Sequence, residues 1–341
     1  MKIAFIVNQL MKETAAYTTT GLALQAHKMG HEVYYMGVGD LAYFSDEQMG
    51  GLARKAPSKQ FRSPETFLQA IKETEKAQMK ASDLDVIILR NDPSADIDKR
   101  PWAQNAGIVF GQLAQKQGVV VLNDPTSLSQ ASNKMYFQYF PKEVRPETII
   151  TRNVEDIEAF YKANGGKIIL KPLQGSGGRN VFLINKQEVK NLNQIVEAIC
   201  RDGFVVAQEY LPAAKNGDIR LFLLDGEPIV VEGHYAAIHR QQKEGEIRSN
   251  IHQGGKAGTA RITKRIKEIV ELVGPKLKGD GMFLTGLDIV GDKLMEVNVF
   301  SPGGLVHACE LYDVDFYTPV IKAIENKVDS GRRSTSDKKK E

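Results

Sequence analysis

The sequence predicts a parallel α/β domain followed by an α+β region of two antiparallel subdomains, and three observations carry that prediction. Strand-like apolar runs alternate with helical periods through the first third of the 341 residues. From Lys167 onward the strands come in pairs joined by short turns, which is the pattern of hairpins. Between the two regimes Asn123-Asp124-Pro125 breaks the chain.

Taken in order, Lys2 to Val7 is a first strand, Thr18 to Met29 a helix stopped by Gly30, and Val33 to Val38 a second strand. Asp85 to Arg90 and Val119 to Asn123 add two more strands. Ser127 with Gln130 predicts a capping box for a helix that carries Lys134. Lys167 to Leu173 pairs with Val181 to Ile184, and Ile219 to Leu224 with Pro228 to Glu232 across Asp225-Gly226. A helix from about Thr259 to Lys278 leads to a closing hairpin, Phe283 to Val290 with Leu294 to Phe300, and then to a short helical stretch. Ser330 to Glu341 is polar and basic with no apolar period, so it is expected to be disordered.

Composition narrows the function classes. Lys plus Arg number 45 and Asp plus Glu 42, a formal charge of +3, too small an excess to predict a nucleic-acid or membrane surface. No run approaches the ~20 apolar residues of a spanning helix, and Ile3 to Val7 is too short for a signal-peptide core, so a cytoplasmic protein is expected. Cys200 and Cys309 lack metal-ligand spacing and read as reduced, incidental thiols.

Three motifs carry chemistry. Lys171-Pro-Leu-Gln-Gly175-Ser176-Gly177-Gly178 lies between two apolar strands, where glycines let backbone N–H groups wrap phosphate oxygens. An ordinary glycine-rich hairpin would share those glycines. What separates the readings is Lys171, a lysine in an apolar strand that needs an anion, and a nucleotide phosphate is a suitable one. Asp288, Glu296 and Asn298 are hard oxygen side chains on the closing hairpin. Glu296 and Asn298 share a face by alternation, and Asp288 joins them if the turn is odd or bulged around Gly291 to Lys293. Such a face suits Mg²⁺, although the polar outer side of an amphipathic hairpin would look the same. Arg248-Ser-Asn250-Ile-His-Gln-Gly254-Gly255 belongs to a polar stretch, Arg240 to Thr259, expected to be a mobile lid whose Arg248 and Asn250 clamp a phosphoryl or acyl group; solvated loop charge is the alternative. Arg220 follows Gly217-Asp218 on a strand and is harder to assign to solvent.

Asn133-Lys134, Lys171 to Gly178, Gln208-Glu-Tyr-Leu-Pro212, Gly217-Asp-Ile-Arg220, Arg248 to Gly255 and Asp288 to Asn298, in that order, resemble the ATP-grasp superfamily. Within it the chain is most similar to bacterial glutathione synthetase, from Ile3 to about Ile324, with Leu84 to Arg90, Asn123 to Leu128 and Pro146 to Arg152 carrying the likeness through the first two domains. The Arg-x-Asn…Gly-Gly segment also looks like the related glutamate-adding ligases.

The resemblance implies a pre-ATP-grasp domain over 1–124, a central ATP-grasp subdomain over 125–212, a C-terminal ATP-grasp subdomain over 213–326 with nucleotide between the two, and a disordered tail over 327–341. It implies that Lys134, Lys171 and Gly175 to Gly178 contact the nucleotide phosphates, that Gln208, Glu209, Tyr210 and Leu211 line an adenine pocket, and that Asp218 reaches the ribose. Asp288, Glu296 and Asn298 match metal ligands; Arg220, Arg248 and Asn250 match catalytic positions; Arg90, Arg240, Ser301 and Gly303 match substrate positions. ATP and magnesium, or manganese in its place, are the implied cofactors. Small carboxylate and amine substrates are the implied partners, joined through an acyl phosphate by a homo-oligomeric ligase. Rival readings are another amino-acid or peptide substrate, a kinase that stops after phosphoryl transfer, and a non-catalytic ATP-binding module. The family's Arg-Lys-Asp-Pro-Pro reads Arg90-Asn-Asp-Pro-Ser94 here, Gln174 replaces an Asp, Ser301-Pro-Gly303 replaces Ser-Pro-Thr, and Ala16-Tyr17-Thr18 stands for a Lys-Asp-Ser-like patch. These departures fall mostly on the substrate side.

Overall fold

The computed structural model describes residues 1–175, 180–241 and 256–337. Its first layer is built from β1 (Lys2–Val7), α1 (Thr18–Lys28), β2 (Glu32–Gly37), β3 (Leu41–Tyr43), β4 (Met49–Lys55), α2 (Pro64–Glu73), β5 (Lys76–Lys80), β6 (Val86–Leu89), α3 (Ala106–Lys116) and β7 (Val120–Leu122). The sheet runs β3-β4-β2-β1-β6-β7, with β5 on the other side of β4. Strands β2, β1, β6 and β7 are parallel, as the alternating pattern predicts. The antiparallel extension of β3, β4 and β5 was not predicted. Strands β3 and β5 are exposed or half-buried along their length, and β4, Met49-Gly-Gly-Leu-Ala-Arg-Lys55, buries mainly small residues, so none carries a continuous apolar run.

Helix α4 (Pro125–Gln130) corrects the predicted start of the second unit. Asp124, not Ser127, is its cap: Oδ1 accepts the Ser127 N–H at 2.8 Å, and Pro125 occupies the first turn. The helix ends before Lys134, because Asn133 Oδ1 takes the Met135 N–H at 2.8 Å and turns the chain. Beyond it, β8 (Thr148–Thr151), α5 (Val154–Ala163), β9 (Ile168–Pro172), β10 (Phe182–Ile184), α6 (Leu192–Cys200) and β11 (Val205–Glu209) form an antiparallel sheet ordered β10-β9-β11-β8. This layer has its own apolar core around Ile157, Leu170, Val196 and Val205.

The third layer contains β12 (Asp218–Leu224), β13 (Glu227–Pro228), β14 (Val230–Val231), β15 (His234–Tyr235), β16 (Ala237–Gln241), β17 (Lys256–Thr259), α7 (Lys264–Gly279), β18 (Leu284–Val290) and β19 (Lys293–Asn298). Its sheet is ordered β17-β16-β12-β18-β19. Of the strand expected over Pro228 to Glu232, only β13 pairs with β12, while β14 pairs with β15. Helix α7 starts after Thr263, whose Oγ1 accepts the Ile266 N–H at 3.3 Å; Thr259 instead ends β17. Helices α8 (Leu305–Tyr312) and α9 (Tyr317–Asp337) follow. The expectation of a disordered tail from residue 327 fails over most of its length, since α9 runs to Asp337. Val320, Ile321, Ile324 and Val328 recur at helical spacing on a buried face, and Lys327 holds Asp225 at 2.8 Å.

The first and third layers share two cores. One joins Ala4 and Ile6 to Leu221 and Leu287, and the other joins Ile3 and Phe5 to Phe222, Phe316 and Val320. Buried Asn123 fastens the layers, donating from Nδ2 to Leu284 O at 3.1 Å and accepting the Leu284 N–H at 2.8 Å. Among the described residues no helix is long and apolar enough to cross a membrane.

Candidate active site

A cleft of ≈ 950 Å³, open solvent at its mouth included, lies where the three layers meet, within the ~300–1,000 Å³ range usual for ligand pockets. The central layer contributes Lys171, Gly175 and Gln208, with Lys134 from the preceding turn. The third layer contributes Glu296, Asn298 and Ser301, and the loop after β6 contributes Asp92 and Ser94.

Both lysines are held by neutral acceptors. Lys171 Nζ donates to Gln208 Oε1 at 3.1 Å, and buried Gln208 donates in turn to Thr148 Oγ1 at 3.2 Å. Lys134 Nζ donates to Gly175 O at 2.6 Å, while its backbone N–H donates to Leu173 O at 3.0 Å. Burial pushes the Lys171 ammonium down to about 8; Glu296 opposes that shift and the neighbouring Lys134 charge adds to it. The same burial lowers Lys134, with Glu296 and Asp92 again opposing. Two confined cations without a carboxylate at ion-pair distance among the described residues form a site for a polyanion. Binding a polyphosphate should therefore take up a proton above pH 8, where free Lys171 is largely neutral and the bound anion re-protonates it. The measurement is ATP titration calorimetry at pH 8.5 in two buffers of different ionisation enthalpy. Affinity should fall as pH rises through 8, and a pH-independent Kd without proton uptake would refute the lysine's role.

Opposite the lysines, the β18–β19 hairpin sets the acidic face. Asp288 pairs with Glu296 and Gly286 with Asn298, and a bulge between Asp288 and Ile289 leaves Met295 as the extra residue on β19. All three expected side chains thus share one face. Half-buried Glu296 has no hydrogen-bond or ion-pair partner among the described residues. Asn298 Nδ2 donates to Asp288 Oδ2 at 3.2 Å and Gly286 O at 3.3 Å, which leaves its Oδ1 uncommitted. Among the described residues no group of three or more His, Cys, Asp or Glu forms an all-protein cage. An unpaired carboxylate, an amide oxygen and a second carboxylate fit a hard cation that completes its shell with phosphate and water.

Asp288 is also engaged on its other side. Arg220 grips it with Nε and with Nη2, the latter at 2.9 Å, and Arg240 Nη2 lies 2.8 Å from Oδ2. Burial pushes the Asp288 carboxyl up, but the Arg220 and Arg240 charges outweigh it and hold the group well below the usual carboxylate range. Register explains the cluster. Arg220 faces Asp288 across β12–β18, and Asp218 faces Arg240 across β12–β16. Gly286 makes room, because a Cβ there would come within 2.9 Å of Arg220 Cδ.

The Asp218 carboxylate accepts from Arg240 Nε at 3.0 Å and again from Nη2, a pairing the sequence reading did not foresee. Buried Arg90 donates to Pro302 O and Arg220 Nη1 to Gly303 O, each at 3.1 Å; the expected substrate loop, Ser301 to Gly303, is tied down by its backbone. Of the expected adenine segment, Gln208 lines the cleft, but Glu209 accepts the Glu147 N–H at 2.9 Å and Tyr210 sits beneath the Lys167 ammonium at 3.7 Å. Leu211 is half-buried and is not among the residues lining the cleft. Ser176, Gly177, Gly178, Arg248, Asn250 and positions 242–255 of the expected lid lie outside the described residues. Sequence reasoning assigned no role to Asp92 or Thr148. Asp92 was accessible as a polar residue at the carboxyl end of a parallel strand.

Comparison with known proteins adds independent findings. Residues 1–129 match the family model for the prokaryotic glutathione synthetase N-terminal domain, and residues 133–313 match that for the prokaryotic glutathione synthetase ATP-grasp domain. A glutathione synthetase of Shewanella oneidensis is 33% identical over 309 residues, covering 90% of this chain and 92% of that protein. The glutathione synthetase of Escherichia coli strain K12 is 32% identical over 299 residues, covering 87% and 88%. Among solved structures, D-cycloserine synthetase DcsG superposes with a TM-score of 0.64 at 13% identity, covering 94% of this chain and 99% of that one. The ATP-grasp ligase PsnB complexed with minimal precursor, Mg and ADP superposes with a TM-score of 0.58 at 16% identity, covering 96% and 98%. These two likenesses establish the ATP-grasp fold.

Proposed function

The chain belongs to the prokaryotic glutathione synthetase family, and from that premise we propose that it joins the free carboxylate of γ-glutamylcysteine to the amine of glycine with cleavage of ATP. It is an ATP-dependent ligase that forms a carbon–nitrogen bond and uses a divalent metal ion. The observation that carries the reading is the cleft in which two confined lysines face an unpaired Glu296. In this proposal Lys134 and Lys171 hold the nucleotide phosphates and Gln208 reads the base edge. Glu296, Asn298 and Asp288 hold the ion, magnesium being the preferred one, which when bound neutralises charge on the transferring phosphoryl group. Arg220, with Arg248 and Asn250, attracts the donor carboxylate and the acyl phosphate made from it. Arg90 and Arg240 help to fix the donor, Ser301 and Gly303 the acceptor, and Gly175 to Gly178 shield the reaction from water.

The domain limits 1–124, 125–212 and 213–326, a cytoplasmic location and a homo-oligomeric assembly belong to the same proposal. A second donor remains in play on one observation. Asn91, where the family pattern has lysine, is 3% exposed and packs against Gly107, so it presents no charge to a substrate. The test is ADP release with Mg-ATP, γ-glutamylcysteine and glycine, followed by mass analysis. A tripeptide one water lighter than its parts is expected; ADP without that product, or product only from another acid or amine, overturns the substrate pair.

A further inference from the structure

Lys134 stands on the connector between α4 and β8, and the bonds it donates reach the central layer, its backbone N–H to Leu173 O and its Nζ to Gly175 O. The residues that follow it face the other way. Tyr136, 3% exposed, belongs with Phe137, Phe140 and Val144 to the core shared by the first and third layers, alongside Val273, Leu277 and Met282. A lysine that reaches one body is thus carried by a turn rooted in another.

Apolar packing alone would be served by phenylalanine at 136, as it is at 137 and 140. The chain instead places a phenol there, and its hydroxyl donates to Asp280 Oδ2 at 2.6 Å across 144 residues of sequence. Asp280 follows the last turn of α7, and Lys276, one turn earlier, donates from Nζ to the same Oδ2 at 2.8 Å. That ammonium also lies 5.3 Å from the Tyr136 ring centre and 5.4 Å from that of Tyr139. Phe140 meets the Tyr136 ring at right angles, 5.4 Å between centres. Packing therefore fixes the depth of the ring, and the carboxylate fixes its direction. Burial first, and then the Asp280 hydrogen bond, raise the phenol above its ordinary value, which keeps it a neutral donor.

What the anchor spans decides what it does. Helix α7 leads through Gly281, whose carbonyl accepts the Asp124 N–H at 3.0 Å, into β18, the strand that carries Asp288. Tyr136 and Phe137 line the cleft beside Lys134, and the charge of Glu296 on β19 acts on that lysine. Two residues from Lys134, then, a directional bond ties its turn to the element that enters the acidic face. We propose that Tyr136, bonded to Asp280, is a positioning residue that holds Lys134 in place against the acidic face of the β18–β19 hairpin and so sets affinity for the nucleotide's polyphosphate. The inference rests on the ligase reading and deepens it by naming what places one of its phosphate-binding groups.

The test is calorimetry on the full chain with Mg²⁺ and a non-hydrolysable ATP analogue. Tyr136→Phe, which removes only the hydroxyl, should weaken binding by about 5–30-fold, and Asp280→Ala by a like factor. Asp280→Asn should stay within about 3-fold of wild type, because an amide in that place still bonds the hydroxyl. The deciding measurement is the cycle with Lys134→Met, in which Tyr136→Phe should cost less than about 2-fold, since the group it positions is gone. A purely structural role would lower affinity alike in both backgrounds. That result, an unchanged Kd in Tyr136→Phe, or Asp280→Asn falling as far as Asp280→Ala overturns the proposal. If Tyr136→Phe does not fold, the same cycle run with Asp280→Ala decides by the same criteria. Failure of the ligase reading is separate: it appears as absent coupled product in the ADP assay, whereas this cycle reads nucleotide binding alone.

Discussion

Replacing Glu296 with glutamine is expected to lower kcat by about 10²–10³-fold while leaving the unfolding midpoint in place. Glutamine keeps the shape and the strand position, and Glu296 has no hydrogen-bond or ion-pair partner among the described residues for the substitution to break. What disappears is a charge facing both the proposed ion and the two lysines. Because Glu296 is the largest influence keeping Lys134 and Lys171 protonated against burial, its loss should also shift the pH limit of ATP binding to lower values. Steady-state ADP release over a magnesium series, together with a thermal melt, measures both effects. Near-wild-type turnover at low magnesium would remove Glu296 from the metal site; a large fall in melting temperature would make its role structural.

Lys171→Met should raise the Kd for ATP by about 10–100-fold, the loss of a charge-assisted contact made in a confined site. The same change should stabilise the free protein. Lys171 has its ammonium held down near 8, below the ordinary lysine value, so the unfolded chain binds more protons than the folded one between those limits. The resulting destabilisation is fully present below pH 8 and fades as pH rises toward the ordinary lysine range. Methionine keeps the apolar stem and removes this dependence. Urea denaturation at pH 7 and pH 10, beside calorimetric ATP titration, distinguishes the outcomes. Unchanged ATP affinity would make Lys171 a structural residue.

The contrast between those two residues and Asp218 shows what a sequence discloses. Alternation along β19 placed Glu296 and Asn298 together, since side-chain period is a local property, whereas Asp288 joins them through a bulge at Met295 rather than at the expected turn around Gly291 to Lys293. Lys171 was visible because an ammonium in an apolar strand is anomalous in itself. The pairing of Asp218 was not visible because its partner, Arg240, comes from a strand 22 residues away and is selected by register between strands. Tyr136 gave no signal at all: only the folded chain reveals that its hydroxyl meets Asp280. The same distinction separates the predicted strands β1, β2, β6 and β7 from the missed β4 and β5, whose pairing depends on neighbours more than on their own apolar content. At the other end, the basic composition after Ser330 outweighed in prediction an apolar helical stripe that begins ten residues earlier and carries α9 onward.

The separate core of the four-stranded layer governs how the molecule can come apart. Its apolar contacts close on themselves, whereas the other two cores weld the first and third sheets into a common block. At the cleft, the hydrogen bonds from Lys134 to Leu173 O and Gly175 O bridge that block and the layer. A swing of the layer would then be opposed at that seam by polar contacts that water can replace, rather than by an apolar core. A local opening at that seam would then be distinct from global denaturation, and the guanidinium–carboxylate cluster of the third sheet, lying inside the common block, would be lost only in the second.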